Sequence, residues 1–145
     1  MVANVIYRGP AYRQPDTTNM QVTGAYKPGV AVIISAGKLL TTGSAKSGRW
    51  LILGNNEFLG QDIDTAYTAH ETATAYRVRA EDEFNVRLAA ATYGVGQEIT
   101  IGANGVFKAA ASGDVVVAAF DEKANRTLSA EGFGDIVILN SAYVK

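Results

Sequence analysis

Residues 98–120 read EITIGANGVFKAAASGDVVVAAF, and this stretch carries the clearest signal for the fold. Two β-type runs, 98–101 and 106–108, lie on either side of the pair Asn104-Gly105. An Asn-Gly pair between such runs is the strongest short-range cue for a β-hairpin. A third run, 115–120, follows a further glycine turn, so the stretch predicts three short strands joined by tight turns.

The rest of the chain repeats this pattern of short apolar runs and turn residues. VAVII begins at Val30, WLIL at Trp50 and IVIL at Ile136. Runs of this length, with turns roughly every 8–12 residues, are typical of an antiparallel sandwich or barrel, and the connections are too short for βαβ helices. The sequence therefore predicts an all-β fold, a single small antiparallel β-barrel or β-sandwich over residues 30–145. Alternation predicts a core made of Val32, Ile34, Trp50, Ile52, Tyr76, Val78, Ile99, Ile101, Val117, Ile136 and Ile138.

Two segments also carry a helix signal. Residues 81–94, EDEFNVRLAAATYG, have acids first, an alanine-rich middle and a glycine at the end, as helices often do. The same residues alternate as a strand, with Phe84 and Leu88 facing inward, so helix and strand both stay open on the pattern alone. A second short helix is predicted near residues 121–129.

Residues 1–29 differ from the rest of the chain, because all three prolines and three of the seven tyrosines lie there. Proline biases the preceding residue toward extended backbone. The segment is interpreted as an extended amino-terminal arm that ends near Pro28, with an ordinary edge strand of the domain as the equal alternative.

Composition excludes several classes of site. The chain has no Cys and one His, His70, so thiolate metal sites, disulfides and sites with two imidazoles are absent. The net charge is −1, but residues 1–50 carry six basic side chains and one acid, while residues 51–145 carry seven basic and thirteen acidic ones. This asymmetry predicts an electrically polar molecule. No segment has the length of a membrane span, and no signal peptide is recognised, so synthesis in a cytoplasm is expected.

The candidate catalytic and ligand-binding groups all have a simpler interpretation. His70 is expected in a solvent-exposed loop, and Asp62 with Asp64 in a solvated turn instead of a calcium site. Arg77 and Arg79 do not share a strand face with Tyr76, which argues against nucleic-acid binding. No nucleophile-base constellation is present, so we expect neither an enzyme nor a cofactor.

The order of these features resembles the head decoration, or cement, proteins of tailed bacteriophages. Residues 75–123 carry the likeness: a strand, the stretch EDEFNVRLA, a hairpin of the form G-x-x-I-T-I-x-x-N-G-x-F, and then GDVVVAAFDEK. The terminal IVILNSAYVK and the opening NVIYRGPAYRQP are similar to the closing strand and the arm of such proteins.

The resemblance implies a jelly-roll or tulip-like barrel, and it favours a strand over residues 84–90. It implies a structural virion protein on the outer capsid surface that bridges capsid subunits. The expected partners are the major capsid protein and further copies of the chain, as a homodimer or homotrimer, with no nucleic acid, membrane or enzymatic activity.

The arm supplies the expected capsid contact. Ile6, Tyr7 and Tyr12 are its apolar anchors, and Arg8 and Arg13 are expected to pair with acidic capsid groups. An arm of this kind adds a strand to a sheet edge of its partner. The alternative function is a carbohydrate-binding β-sandwich module, in which Trp50 and the tyrosines form a stacking platform.

Overall fold

A computed structural model describes residues 4–41 and 49–145, and it confirms the all-β class. The described residues hold strands and two short 3-10 turns, at Glu57–Leu59 and Ala103–Gly105, with no α-helix. No helix in the described chain is long and apolar enough to cross a membrane. The strands are β1 Tyr7–Gly9, β2 Thr17–Gln21, β3 Ala31–Ser35, β4 Lys38–Thr41, β5 Leu51–Leu53, β6 Thr72–Arg77, β7 Glu83–Leu88, β8 Ala91–Tyr93, β9 Glu98–Ile101, β10 Phe107–Ala109, β11 Val115–Phe120, β12 Arg126–Leu128 and β13 Gly132–Val144.

The larger sheet closes on itself as a barrel. Its strand order is β1-β7-β10-β9-β11-β13, and β13 pairs again with β7. Five strands thus form a closed ring, and β1 adds to one end of β7. The pairing of β7 with β10 is parallel, while the other pairings in the ring are antiparallel.

The second sheet, in the order β2-β6-β5-β3-β4, also returns to its starting strand. Val22, just after β2, forms a parallel bridge with Leu39 of β4, and the Thr23 N–H donates to the Leu39 carbonyl at 3.0 Å. β8 and β12 form a separate two-stranded sheet. The chain therefore builds two small rings, the second from residues 17–77 and the first from residues 83–144 together with β1.

The buried apolar side chains form two cores, and the first of them also takes in Ala31, Ile52 and Ile63 from the segment of the second ring. The first core includes Ile6, Phe84, Val86, Leu88, Ile99, Ile101, Phe107, Phe120 and Ile136, and the second includes Val22, Val32, Leu39, Leu51, Leu53 and Tyr67. Of the predicted core residues, Val32, Ile52, Ile99, Ile101, Val117, Ile136 and Ile138 are buried, while Trp50, Tyr76 and Val78 are partly buried against the first core.

The prediction for Ile34 was wrong. Its side chain is 46% exposed, because Ile34 is the next-to-last residue of β3 and has a partner on β4 alone, since β5 pairs only with Ala31 and Val32. Alternation correctly gives the side of the strand, but at the mouth of a small ring the inner side is open to solvent.

The two rings pack closely at the hairpin that the Asn-Gly pair predicts. β9 and β10 pair antiparallel around Asn104 and Gly105, which confirms the hairpin. Gly105 has a φ of +74°, and a Cβ there would collide with the carbonyl oxygen of Ala31 in the second ring. Only glycine combines this left-handed backbone with so close an approach. Edge-on packing of Trp50 against Phe107, 5.8 Å between ring centroids, extends the same contact.

Neither of the two segments with a helix signal is helical in the structure. Residues 83–88 and 91–93 form β7 and β8, so the strand alternative for residues 81–94 is correct. The helix predicted near residues 121–129 was wrong. Three of these residues, Arg126–Leu128, pair with β8 instead, because a cross-strand partner is available to them.

The first 29 residues follow the edge-strand alternative where the structure describes them. β1 pairs with β7 of the first ring, and β2 pairs with β6 of the second. The boundary predicted between residues 29 and 30 therefore falls inside the second sheet, and residues 4–29 are built into both rings instead of forming a free arm.

Candidate functional site

The amino-terminal segment, residues 4–16, holds all five side chains that the sequence predicts to bind a partner. Ile6 is the first correction, because it is 1% exposed and packs in the first core. The backbone on either side is also occupied: the Asn85 N–H donates to the Ile6 carbonyl at 2.7 Å, and the Asn85 amide donates to the Val5 carbonyl at 3.3 Å. In this conformation Ile6 stabilises the fold and its side chain is not available to a partner.

Tyr7 is likewise held by its own chain. Its ring packs against Phe84 and Tyr76, at centroid distances of 5.4 Å and 6.3 Å. Its hydroxyl lies 2.6 Å from the Pro10 carbonyl and 2.7 Å from the Arg13 carbonyl, so one proton serves both acceptors. Burial, and secondarily the nearby Asp82 carboxylate, raises the pKa of Tyr7. The neutral hydroxyl therefore ties residues 10–13 into a turn.

A buried carboxylate fixes the other side of this turn. Asp82 is fully buried, and its two oxygens accept from Arg13 Nη2 at 2.9 Å and from Arg79 Nε at 3.3 Å. Arg13 Nη2 also donates to the Ala80 carbonyl, and Arg79 Nη2 donates back to the Arg13 and Gln14 carbonyls. The hydrogen bond to Asp82 raises the pKa of Arg13. Arg13 is thus a structural ion-pair residue in the described chain.

Tyr12 stands out within this fixed turn, because its side chain is 89% exposed. The turn around it closes through a hydrogen bond from the Arg13 N–H to the Pro10 carbonyl, 3.3 Å. Of the five predicted contact residues, Tyr12 is the one that presents an aromatic ring fully to solvent. The structure therefore moves the candidate contact from the whole segment to the tip of the turn at residues 10–13.

Arg8 borders an acidic cavity of about 500 Å³ beside β1. Arg8 Nε lies 3.5 Å from Asp135 Oδ1, so the charge that was expected to meet a partner has a partner in its own chain. The cavity is lined by Val5, Tyr7, Arg8, Glu83, Asp121, Glu122, Lys123 and Asp135. Burial, and then the neighbouring carboxylates, raises the pKa of Glu83, and burial does the same for Asp135.

These ion pairs reduce the electrical polarity that the sequence predicts. Arg8 and Arg13 from the basic half pair with Asp135 and Asp82 from the acidic half. Charges that are separated along the chain thus neutralise one another in the fold. A further basic residue in the predicted asymmetry, Lys46, lies outside the described residues.

The structure also shows the positions of the other side chains that the sequence offers as candidates for binding or catalysis. His70 is exposed in a turn, as predicted. Asp62 accepts from the Asp64 N–H and the Thr65 hydroxyl, which lowers the pKa of Asp62 and closes a turn. Trp50 is partly buried, with its ring packed edge-on against Phe107. Across residues 4–41 and 49–145, no group of three acidic or histidine side chains is placed to hold a metal ion.

Sequence reasoning missed the 3-10 turn Glu57–Leu59. Phe58 is 103% exposed and Leu59 is 75% exposed, the largest apolar exposures among the described residues apart from Tyr12. The signal was present as two adjacent apolar residues in the largely polar stretch GNNEFLGQDIDT, residues 54–65. A core strand would place apolar residues in alternation with partners on a neighbouring strand, and this short stretch has no such pattern.

Comparison with known proteins does not assign the chain to a family. No protein-family model matches it, and no curated protein matches it. Two features of the chain therefore support a function: the resemblance carried by residues 75–123, and the exposed side chains on the turns at Tyr12 and Phe58.

Proposed function

We propose that this chain is a structural virion protein that binds the outer surface of a phage capsid and stabilises it by bridging capsid subunits. The resemblance of residues 75–123 to head decoration proteins supports this proposal. In it, the partner is the major capsid protein, further copies of the chain join as a homodimer or homotrimer, and no catalytic step or cofactor is involved.

The exposure of Tyr12 on a fixed turn carries the proposal on the structural side. Tyrosine is enriched among the residues that dominate binding energy at protein interfaces, because its rigid ring covers a large area. The Tyr7 hydroxyl and the pairing of Arg13 with the buried Asp82 hold the turn before any partner arrives. Such preorganisation reduces the entropy that binding removes, so more of the contact energy appears as affinity.

The test is binding to capsids assembled without the chain. Wild-type protein and Tyr12→Ala are incubated with undecorated heads, and the bound fraction is measured after sedimentation through a cushion. We expect saturable binding of the wild type and at least tenfold weaker binding of Tyr12→Ala, or about 1.4 kcal/mol.

Tyr143→Ala is the matched control, since Tyr143 is 46% exposed at the other end of the chain. It should bind as the wild type does. Heads that fail to retain wild-type protein would overturn the proposed function. Equal binding by Tyr12→Ala and the wild type would instead place the contact elsewhere on the surface.

A further inference from the structure

The turn Glu57–Leu59 presents two neighbouring apolar side chains, and nothing in the described chain covers them. Phe58 is exposed as fully as in an extended peptide, and Leu59 is 75% exposed. Single exposed apolar residues are common on protein surfaces, but an adjacent phenylalanine and leucine at the tip of a loop form a contiguous apolar contact.

This tip is held rigidly by hydrogen bonds at its base. The Asn55 amide donates to the Gln61 carbonyl at 2.8 Å, and the Asn56 N–H donates to Gln61 Oε1 at 2.7 Å. The Gln61 N–H returns to the Asn56 carbonyl at 3.1 Å, and Gly60 closes the turn with a left-handed φ of +73°. Asn55 is 3% exposed, so the base of the loop is buried while its tip is open.

The charged residues of this loop all have one sign. Residues 54–65 contain Glu57, Asp62 and Asp64 and no Lys or Arg. Asp64 accepts from the buried Arg87 at 3.2 Å, yet its side chain remains 73% exposed. The apolar pair therefore belongs to a loop with exposed acidic side chains, whose natural complement is an apolar pocket bordered by Lys and Arg side chains.

We propose that Phe58 and Leu59 insert into an apolar, basic-rimmed pocket of a capsid subunit and form a second contact, separate from Tyr12. This inference rests on the proposed function and extends it. A protein that bridges two subunits needs two contacts on one rigid body, and linking two weak contacts raises the overall affinity above that of either alone. The turns at Tyr12 and Phe58 each have their own hydrogen-bonded base, so each is presented independently of the other.

The experiment uses the full chain and the double variant Phe58→Ala with Leu59→Ala, and it measures binding to undecorated heads. We expect at least tenfold weaker binding with an unchanged melting temperature, because both side chains lie outside the cores. Val95→Ala is the control, since Val95 is exposed by 57% elsewhere on the surface, and it should bind normally. Leu59→Ala alone provides a milder variant should the double variant fold poorly, with an expected loss of a few fold.

Charge reversal tests the nature of the pocket. Glu57→Lys should weaken binding at low salt by a few fold more than at high salt, since screening removes the repulsion between the new lysine and the basic rim. Sedimentation of the free protein distinguishes a second occupant. Self-association of the wild type that is lost in the double variant, with unchanged capsid binding, would make this surface a contact between copies and overturn the proposal.

The failure of this inference differs from the failure of the proposed function. Wild-type protein that does not bind heads at all overturns both. Wild-type binding with an equally bound double variant overturns the Phe58–Leu59 contact alone.

Discussion

Replacing Ile6 with alanine decides whether the amino-terminal segment is part of the fold. Ile6 is 1% exposed and lies in the first core beside β7. Removing three carbons from a buried isoleucine costs about 2–5 kcal/mol, through lost transfer energy and the cavity that remains. For a chain of this size each kcal/mol lowers the melting temperature by roughly 2–4 °C, so Ile6→Ala should melt about 5–20 °C below the wild type.

Val5→Ala is the matched control, because Val5 neighbours Ile6 and is 38% exposed. Its cost should stay below about 1 kcal/mol, as for most surface substitutions. Urea unfolding followed by the fluorescence of Trp50 gives both free energies, and an unchanged m-value shows that the denatured state is comparable.

A change below about 0.5 kcal/mol for Ile6→Ala would refute this reasoning and restore the detachable arm. If Ile6 is a core residue, deletion of residues 1–15 removes it together with β1 and leaves Asp82 without Arg13. Asp82 keeps Arg79 as a partner, so the loss of its hydrogen bond from Arg13 costs about 1.5–3 kcal/mol. Added to the core loss and to the lost pairing of β1, this reaches the lower part of a typical domain's stability, about 5–15 kcal/mol, so we expect the deleted chain to be largely unfolded.

Three further predictions concern contacts between the two rings and beside β1. Gly105→Ala should destabilise the protein by more than Gly37→Ala, since both have a left-handed φ but only the first Cβ meets backbone atoms; equal melting temperatures would contradict the packing of the rings. Arg87→Met should lower the free energy of unfolding in urea by at least about 3 kcal/mol. The buried guanidinium donates to the Pro28 and Ile63 carbonyls at 2.8 Å and 2.6 Å, and the variant leaves both without this donor. An unchanged free energy of unfolding would show that these carbonyls are solvated. Burial raises the pKa of Glu83, so its ionisation opposes folding and the destabilisation grows as pH rises through the folded-state pKa. Glu83→Gln should therefore be more stable than the wild type at pH 7, with the gap closing toward about pH 4; a gap independent of pH would be inconsistent with this titration.

Local patterns in the sequence predict much of the fold. The Asn104-Gly105 pair and the runs around it are a self-contained signal, and the hairpin forms where they place it. Alternation finds buried residues such as Ile99 and Ile136, and each of them is flanked by partner strands on both sides. The pattern cannot report where a strand ends relative to the mouth of a ring, which is why Ile34 is exposed.

Long-range pairings are beyond such local reasoning. The buried state of Asp82 depends on Arg13, whose side-chain nitrogen meets it across 69 positions of the chain. Read locally, Asp82 is one of three adjacent acids and Arg13 is a free cation near two prolines. The candidate contact changed for the same reason: four of the five predicted side chains have partners within the chain, and only Tyr12 is left open.

The return of both sheets to their starting strands has a consequence for crowded assembly. An open sheet presents a row of unpaired N–H and C=O groups, which can template edge-to-edge aggregation between identical chains. Here β13 meets β7 and the end of β2 meets β4, so both rings are closed by pairing, while β1 and the β8–β12 sheet keep open edges in the described chain. On the capsid surface that we propose, neighbouring copies of the chain would lie close together. The open edges are limited to three-residue strands, so side-chain shape and charge would decide which copies touch.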